Sequence, residues 1–355
     1  MKKKEFTPAY LSLYRKLRSQ ITEGNYPAGA KLPGKRTIAM ETGLSLVTVE
    51  HALQILADEG YIESRQRSGY YVCYQEYGLL NTKEEQVSFS YTPGASKDHF
   101  PYSVFARTVR AVLSERSNIL LEKSDGMGLP ELRTAVSDYL ARSRNIFVSP
   151  EQIVIGSGSE YMYSLIVQLA GRDGLYAVED PSYEKIARMY RANGAEIEYL
   201  KMGNDGIMSA ELSRSHADVL HVTPFNSYPS GITATASKRA EYIRWAQERN
   251  ALIVEDDVDS EFSMSRKPED TLFSLEPDHT VIYINSFTRT VAPSMRAGYM
   301  ILPAAMVPVY HEKAGFYSCT VSTLTQCILA RLIQSGDFER HINRIRRQKR
   351  KNESF

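Results

Sequence analysis

The sequence runs to 355 residues, 43% hydrophobic and 24% charged, enough at ~150 residues per domain for two or three cored domains. That balance excludes wholesale disorder and a collagen-like repeat. Lys plus Arg number 43 against 42 Asp plus Glu, so the net charge of +1 excludes a chain that coats nucleic acid along its whole length.

Charge is nevertheless uneven. Residues 1–72 carry 11 basic and 7 acidic side chains, residues 339–355 carry 7 and 2, and the stretch between is left at −8. A basic head on an acidic body is expected where the head meets phosphates and the body handles something else. Cys73, Cys319 and Cys327 are too few and too scattered for a disulfide framework or a zinc cluster, and suit a reducing compartment. Lys2, Lys3 and Lys4 lead into Glu5-Phe6-Thr7-Pro8 rather than an apolar segment, and no run approaches ~20 apolar residues. A cytoplasmic protein without a membrane segment is expected.

In the head, Tyr10, Leu13, Leu17 and Ile21 repeat at helical spacing before a stop at Gly24. A second helix follows Leu32-Pro33 and runs to Gly43, and Ser45 is placed to cap a third with apolar positions Val49, Ala52, Leu53 and Leu56. That spacing turns Leu46, Val47, Glu50, His51 and Gln54 outward. Gly60 to Ser64, a basic turn over Arg65 to Gly69, and Tyr70 to Val72 then read as a hairpin. Three helices and a basic hairpin make a winged helix-turn-helix, with the third helix in a major groove of double-stranded DNA. Lys35, Arg36, Ser45, Thr48, His51, Arg65 and Arg67 are the expected DNA-contacting residues. Arg36 and the wing arginines rank above His51 and Gln54.

These residues resemble the DNA-binding domain of the GntR family of bacterial regulators over residues 9–72. The shared pattern is Leu32-Pro33-x-x-Arg36, Leu44-Ser45-x-x-Thr48-Val49, Glu59-Gly60-Tyr61-Ile62 and Ser68-Gly69-x-Tyr71-Val72. Leu46 departs from it, standing where many members carry Arg or a polar residue.

The expected organisation is a head over 1–74, a linker over 75–87, a body over 88–345 and a basic tail over 346–355. Strand-like runs at Gln152-Ile155, Tyr176-Glu179, Glu196-Leu200, Val219-Val222, Leu252-Glu255, Val281-Ile284 and Gly298-Leu302 alternate with helical stretches. This predicts an α/β fold with a mostly parallel sheet, whose ligands sit beyond the carboxyl ends of the strands. The loops found there carry chemistry. Gly156-Ser157-Gly158-Ser159 opens a helix and suits a phosphate. Tyr183 follows the second strand, Asn226-Ser227-Tyr228-Pro229 the fourth, and Asp256-Asp257 the fifth. The loop Ser286 to Arg296 combines hydroxyls with cations.

Together they resemble the large domain of class I/II aminotransferases, the fold type I pyridoxal-phosphate enzymes. A GntR-type head on that body is the arrangement of the MocR family of transcription regulators. The resemblance implies that Gly158, Ser159, Ser286, Thr288 and Arg296 hold a cofactor phosphate, that Tyr183 stacks on the pyridine, and that Asp256 pairs with its nitrogen. It also implies a homodimer sharing its sites across a two-fold interface.

The pattern breaks in three places. The family's cofactor lysine falls at Arg289, and a guanidinium stays protonated and cannot form a Schiff base, so no catalytic residue is assigned. Arg289 is expected either to reinforce the phosphate cup or to pair with Asp256. Asp-x-Tyr reads Asp256-Asp257-Val258, and the His/Asn-Pro-type loop reads Asn226-Ser227-Tyr228-Pro229, so the cofactor O3′ loses expected partners. The third departure is the end at Phe355, which implies absence of the family's smaller C-terminal domain.

The leading expectation is a DNA-binding regulator whose aminotransferase-like body dimerises and binds pyridoxal phosphate, or another small phosphorylated or amino-acid effector, without covalent attachment. An active aminotransferase and a degenerate family member are the alternatives. No metal site is expected.

Overall fold

Apolar residues at helical spacing build the N-terminal unit. Helix α1 (Ala9–Thr22) buries Leu13, Tyr14, Leu17 and Ile21. Helix α2 (Lys35–Thr42) ends at Gly43, whose φ of +66° is the left-handed conformation that glycine adopts without strain. Helix α3 (Leu46–Asp58) starts where the Ser45 hydroxyl accepts the Thr48 N–H at 3.2 Å. Its inner face, Val49, Ala52, Leu53 and Leu56, packs on α1. Each fully buried aliphatic residue of this seam contributes roughly 1.5–3 kcal/mol. Strands β1 (Ile62–Arg65) and β2 (Gly69–Val72) pair antiparallel with Ile62 opposite Val72. Arg65, expected in the turn, is the last residue of β1.

The structure, a computed structural model, describes residues 8–65, 68–74, 100–257, 261, 269–278 and 280–353. Arg67, Val258 and the expected linker 75–87 lie outside the described residues. Contacts divide the chain into Met1–Pro93 and Gly94–Phe355.

In the second unit all seven expected strands form one sheet: β3 (Ile153–Gly156), β4 (Leu175–Asp180), β5 (Glu196–Lys201), β6 (Val219–Val222), β7 (Leu252–Asp256), β8 (Val281–Ser286) and β9 (Gly298–Ile301). Their order is β3-β9-β8-β7-β6-β4-β5. Only β9 runs against its neighbours; the ladders from β8 through β7, β6 and β4 to β5 are parallel. The strands are buried on both faces, so they read as continuous apolar runs whose successive residues feed opposite cores. Ile153, Ile155, Ala177, Leu220, Ile253, Tyr283 and Tyr299 join one core. Val154, Val178, Val219, Val254, Ile282 and Met300 join the other. Helices Pro130–Arg144, Ala236–Arg249 and Thr323–Gln334 cover the first face, and helices Ser159–Ala170, Glu184–Ala192 and Val307–Ala314 the second. The expected tail boundary at residue 346 does not coincide with an element end: helix Asp337–Glu353 runs across it, anchored by buried Phe338, Ile342 and Ile345. Among the described residues, no helix is long and apolar enough to cross a membrane.

Three buried carboxyls brace this sheet from within. Glu179, at the end of β4, accepts the Thr223 N–H at 3.1 Å and the Ser227 hydroxyl at 2.6 Å. Glu255 on β7 accepts the N–H groups of Leu272 and Phe273, both at 2.9 Å. Glu261 accepts from the Asn285 amide at 2.7 Å. Burial pushes each of them up to about 8, with the Asp257 charge adding to the rise at Glu255 and Glu261.

The sign of the pH effect follows. Below about pH 4.5 these acids hold their protons in folded and unfolded chain alike. As pH rises, the unfolded chain ionises them while the folded chain keeps them neutral, so stability is lost progressively up to about pH 8. We predict that the unfolding midpoint falls from about pH 6 to about pH 8.5, and that Glu179→Gln flattens part of that fall. Thermal melts across the range check this; an identical slope in the variant would exclude Glu179 as a contributor.

Candidate functional site

On the head, the expected DNA-contacting residues lie on α2, α3 and the hairpin. Arg36 is exposed on α2. Lys35, beside it, is ion-paired with Glu50 of α3. Ser45 caps α3, and its hydroxyl lies 2.8 Å from that of Thr48. His51 is exposed but not free-standing, because its ring stacks on Tyr10 with centroids 4.2 Å apart. Arg65 bonds Glu63 at 2.6 Å and lies 4.3 Å from the centre of the Tyr71 ring. Among the described residues, Lys35, Ser45, Thr48, His51 and Arg65 are thus each steadied by a neighbour within the head.

In the second unit, five strands end at one cleft of about 390 Å³. Its lining draws Ser159 from after β3, Tyr183 from after β4, Asn226 and Tyr228 from after β6, Asp256 from the end of β7, and Ser286, Thr288 and Arg289 from β8 onward. Because β9 is reversed, its start also lies at this edge and brings in Arg296. Six of the seven residues expected around a cofactor therefore line this cleft, and the seventh, Gly158, directly precedes Ser159.

The end near Arg296 is rich in donors. Gly158 precedes helix Ser159–Ala170 with a φ of +96°, and a Cβ there would lie 3.5 Å from the Arg296 guanidinium. The helix start supplies backbone N–H groups and the positive end of its dipole. Ser286 accepts the Thr288 N–H at 3.1 Å, fixing the start of the β8–β9 connection. Gly298 sits opposite Ser286 in the ladder, and a Cβ on it would stand 2.7 Å from the Asn285 carbonyl, so close approach of the two strands here requires glycine. Arg296 lies 3.5 Å from Glu160.

Toward the cleft floor the chemistry reverses. Asp256 is buried; one carboxylate oxygen accepts the Tyr163 hydroxyl at 2.5 Å and lies 3.6 Å from His221 Nε2. The other oxygen has no hydrogen-bond partner. Burial, and then the Asp256 charge, drives the Tyr163 phenol far up, so it stays protonated and donates. His221 is itself held through Nδ1, 2.7 Å from the Tyr190 hydroxyl. Arg289 is exposed and lines the same cleft, while the described hydrogen bond to Asp256 comes from Tyr163.

Several cleft residues escaped the sequence reading. Tyr163 stands one helical turn beyond Ser159, a spacing that places both on one helix face and was there to be used. Lys185 lines the cleft 2.8 Å from Glu160, and that bond holds its ammonium above the ordinary lysine range and Glu160 below the ordinary carboxylate range. Glu179 fixes the loop carrying Asn226 and Tyr228 through Thr223 and Ser227. An anion-accepting end and a buried bare carboxylate oxygen in one cleft suit a ligand with a phosphate at one end and a protonated ring nitrogen at the other.

Comparison with known proteins agrees with this division. Residues 9–72 match the bacterial regulatory proteins of the gntR family, and residues 98–354 match aminotransferase class I and II. The chain is 31% identical to the uncharacterized HTH-type transcriptional regulator YdeL of Bacillus subtilis, across 97% of this chain and 77% of that one. It is 27% identical to the probable rhizopine catabolism regulatory protein MocR of Rhizobium meliloti, across 96% and 74%, and 28% identical to the pyridoxine biosynthesis transcriptional regulator PdxR of Corynebacterium glutamicum, across 94% and 75%. Among solved structures, an archaeal alanine:glyoxylate aminotransferase shares the fold with a TM-score of 0.63 at 22% identity, over 68% of this chain and 62% of that one. The multiple substrate aminotransferase of Thermococcus profundus does so at 0.65 and 21%, over 77% and 73%. The chain spans about three quarters of the length of those regulators and 62% of the archaeal enzyme. It belongs to the MocR type of DNA-binding transcription regulator, in which a gntR-family helix-turn-helix head is joined to an aminotransferase class I and II domain.

Proposed function

We propose that the cleft is an effector site which binds pyridoxal phosphate, or a closely similar phosphorylated ring, without covalent attachment, and that its occupancy alters how the head engages operator DNA. The carrying observation is that Asp256, buried with one oxygen lacking a hydrogen-bond partner, lines the same cleft as the donor-rich end at Arg296. A buried carboxylate left half-satisfied costs stability unless a ligand completes it. Ser159, Ser286, Thr288, Arg296 and the helix start at Gly158 would hold the phosphate, Asp256 the ring nitrogen, and Tyr183 the ring face. When bound, pyridoxal phosphate supplies an aldehyde conjugated to an electron-withdrawing ring.

The chain's own residues speak against turnover. Arg289 stands where a condensing amine is expected, and a guanidinium neither attacks an aldehyde nor ferries protons at working pH. Lys185 is an amine in the cleft, but its bond to Glu160 favours the protonated, non-nucleophilic form. What remains is recognition: cations and hydroxyls that would bind an anion, and a phenol that orients one carboxylate. By its family resemblance the regulator acts as a homodimer in the cytoplasm, with two heads on paired half-sites.

Spectral titration with pyridoxal phosphate tests the reading. Saturable binding is expected, reversed by dialysis, with borohydride leaving the chain mass unchanged. Borohydride fixation on Lys185, or no binding at all, would overturn it. Charge-assisted hydrogen bonds are worth about 1.5–3 kcal/mol, so Arg296→Ala should weaken binding on the order of tenfold or more. Size-exclusion chromatography with light scattering checks the dimer, and a gel shift on the chain's own upstream DNA with and without the ligand checks coupling to the head.

Arg289→Lys supplies the missing amine at the cleft wall. It should make the bound ligand reducible by borohydride onto residue 289, read by peptide mass. A variant that binds equally well yet is never fixed there would show that residue 289 does not face the ligand's aldehyde.

A further inference from the structure

The outer face of α3 is where a helix-turn-helix head meets base pairs, and in this chain most of its polar side chains are already engaged within the head. Glu50 is ion-paired with Lys35, His51 stacks on Tyr10, Gln54 donates to Asp58 at 2.9 Å, and the Thr48 hydroxyl shares a hydrogen bond with Ser45. What the first turn of α3 leaves uncovered is hydrocarbon: Leu46 is 50% and Val47 77% exposed. Neither serves the core of the head, which α3 fills with Val49, Ala52, Leu53 and Leu56. Two adjacent aliphatic side chains opening this helix, with Arg36 exposed on the neighbouring helix, require an occupant that is apolar at one spot and anionic around it.

The major groove presents one such feature. The C5-methyl of thymine is its apolar contact point, set between phosphate backbones, and helices that enter the groove reach it with aliphatic side chains. We infer that Leu46 and Val47 read thymine methyl groups, so that T·A pairs under the first turn of α3 are selected by apolar contact while the cations hold the backbone. This specificity rests on the DNA-binding family membership of the head and is independent of what the cleft binds.

The experiment separates the methyl group from everything else a base pair offers. The full chain selects its preferred duplex from a randomised pool, and that duplex is remade with deoxyuridine replacing one thymine at a time. The change removes a methyl and leaves every hydrogen-bonding group in place. Binding is followed by fluorescence anisotropy at one fixed salt concentration, because phosphate contacts make affinity salt-dependent. Burial of one methyl-sized group implies a loss of roughly three- to tenfold at one or two thymines in each half-site. Val47→Ala or Leu46→Ala should weaken binding to the thymine duplex by a similar factor and no longer distinguish uracil from thymine. Both positions are exposed, and unchanged melting curves certify the fold. A 5-methylcytosine·guanine pair at the sensitive position should bind better than cytosine·guanine.

Indifference to uracil at every position overturns the assignment. So does a uracil penalty that persists in both alanine variants, or a selected half-site made of G·C pairs alone. Alanine variants that change the oligomeric state without touching the uracil response would show that a second copy of the chain covers the patch instead. Failure to enrich any sequence would remove the DNA-reading role of the surface altogether.

Discussion

A carboxylate taken out of water has to be met by other groups, and Asp256 draws its partners from across the second unit. It ends β7, takes the Tyr163 hydroxyl from the helix after β3, and approaches His221 of β6, which is steadied by Tyr190 of helix Glu184–Ala192. Desolvating a lone carboxylate is worth several kcal/mol, so these contacts are constraints on how the helices seat against the sheet as much as features of a site. The cleft is the place where they are left incomplete. Its donor-rich side is likewise set by backbone, through the helix start at Gly158 and the close passage of Gly298 beside Asn285.

What a sequence shows depends on how locally a feature is encoded. Strands buried on both faces and helices with one apolar face announce themselves within a few residues, which is why all seven strands and the three helices of the head were legible. The loops of the cleft were legible for a related reason: in a parallel sheet, chemistry gathers after strand ends, and those positions can be counted. Contacts made across long separations were not. Tyr163 meets Asp256 at a separation of 93 residues and Ser227 meets Glu179 at 48, and no local pattern encodes either. His51 was read as outward from helical spacing alone, while its ring is taken up by Tyr10. At residue 346, where the apolar spacing thins, helical backbone continues to Glu353, which spacing alone does not show.

Arg289 shows how one side chain can separate binding from reaction. Lysine and arginine both place a cation at this wall, so attraction for an anion survives the exchange, whereas an amine that can lose its proton does not. The remaining lysine of the cleft is tied to Glu160. On the proposed reading, such a site would keep recognition of a phosphorylated ring while a permanent charge stands where the family resemblance expects the reactive amine. On the head, Lys35, Ser45, Thr48, His51 and Arg65 are held by neighbours before any partner arrives, which reduces the ordering that binding would otherwise require.

The ladder β3-β9-β8 joins segments from widely separated parts of the chain, and the cleft's anion-accepting end exists only once those strands are in register. A ligand seated there recognises the completed sheet and has nothing comparable to hold in an unfolded chain. By mass action it raises the unfolding free energy by about 2.7 kcal/mol at a hundredfold excess over its dissociation constant. On the effector-site proposal, effector supply would set how long the regulator survives proteolysis as well as what it does on DNA, and the cell's quality control would become a second reader of the same signal.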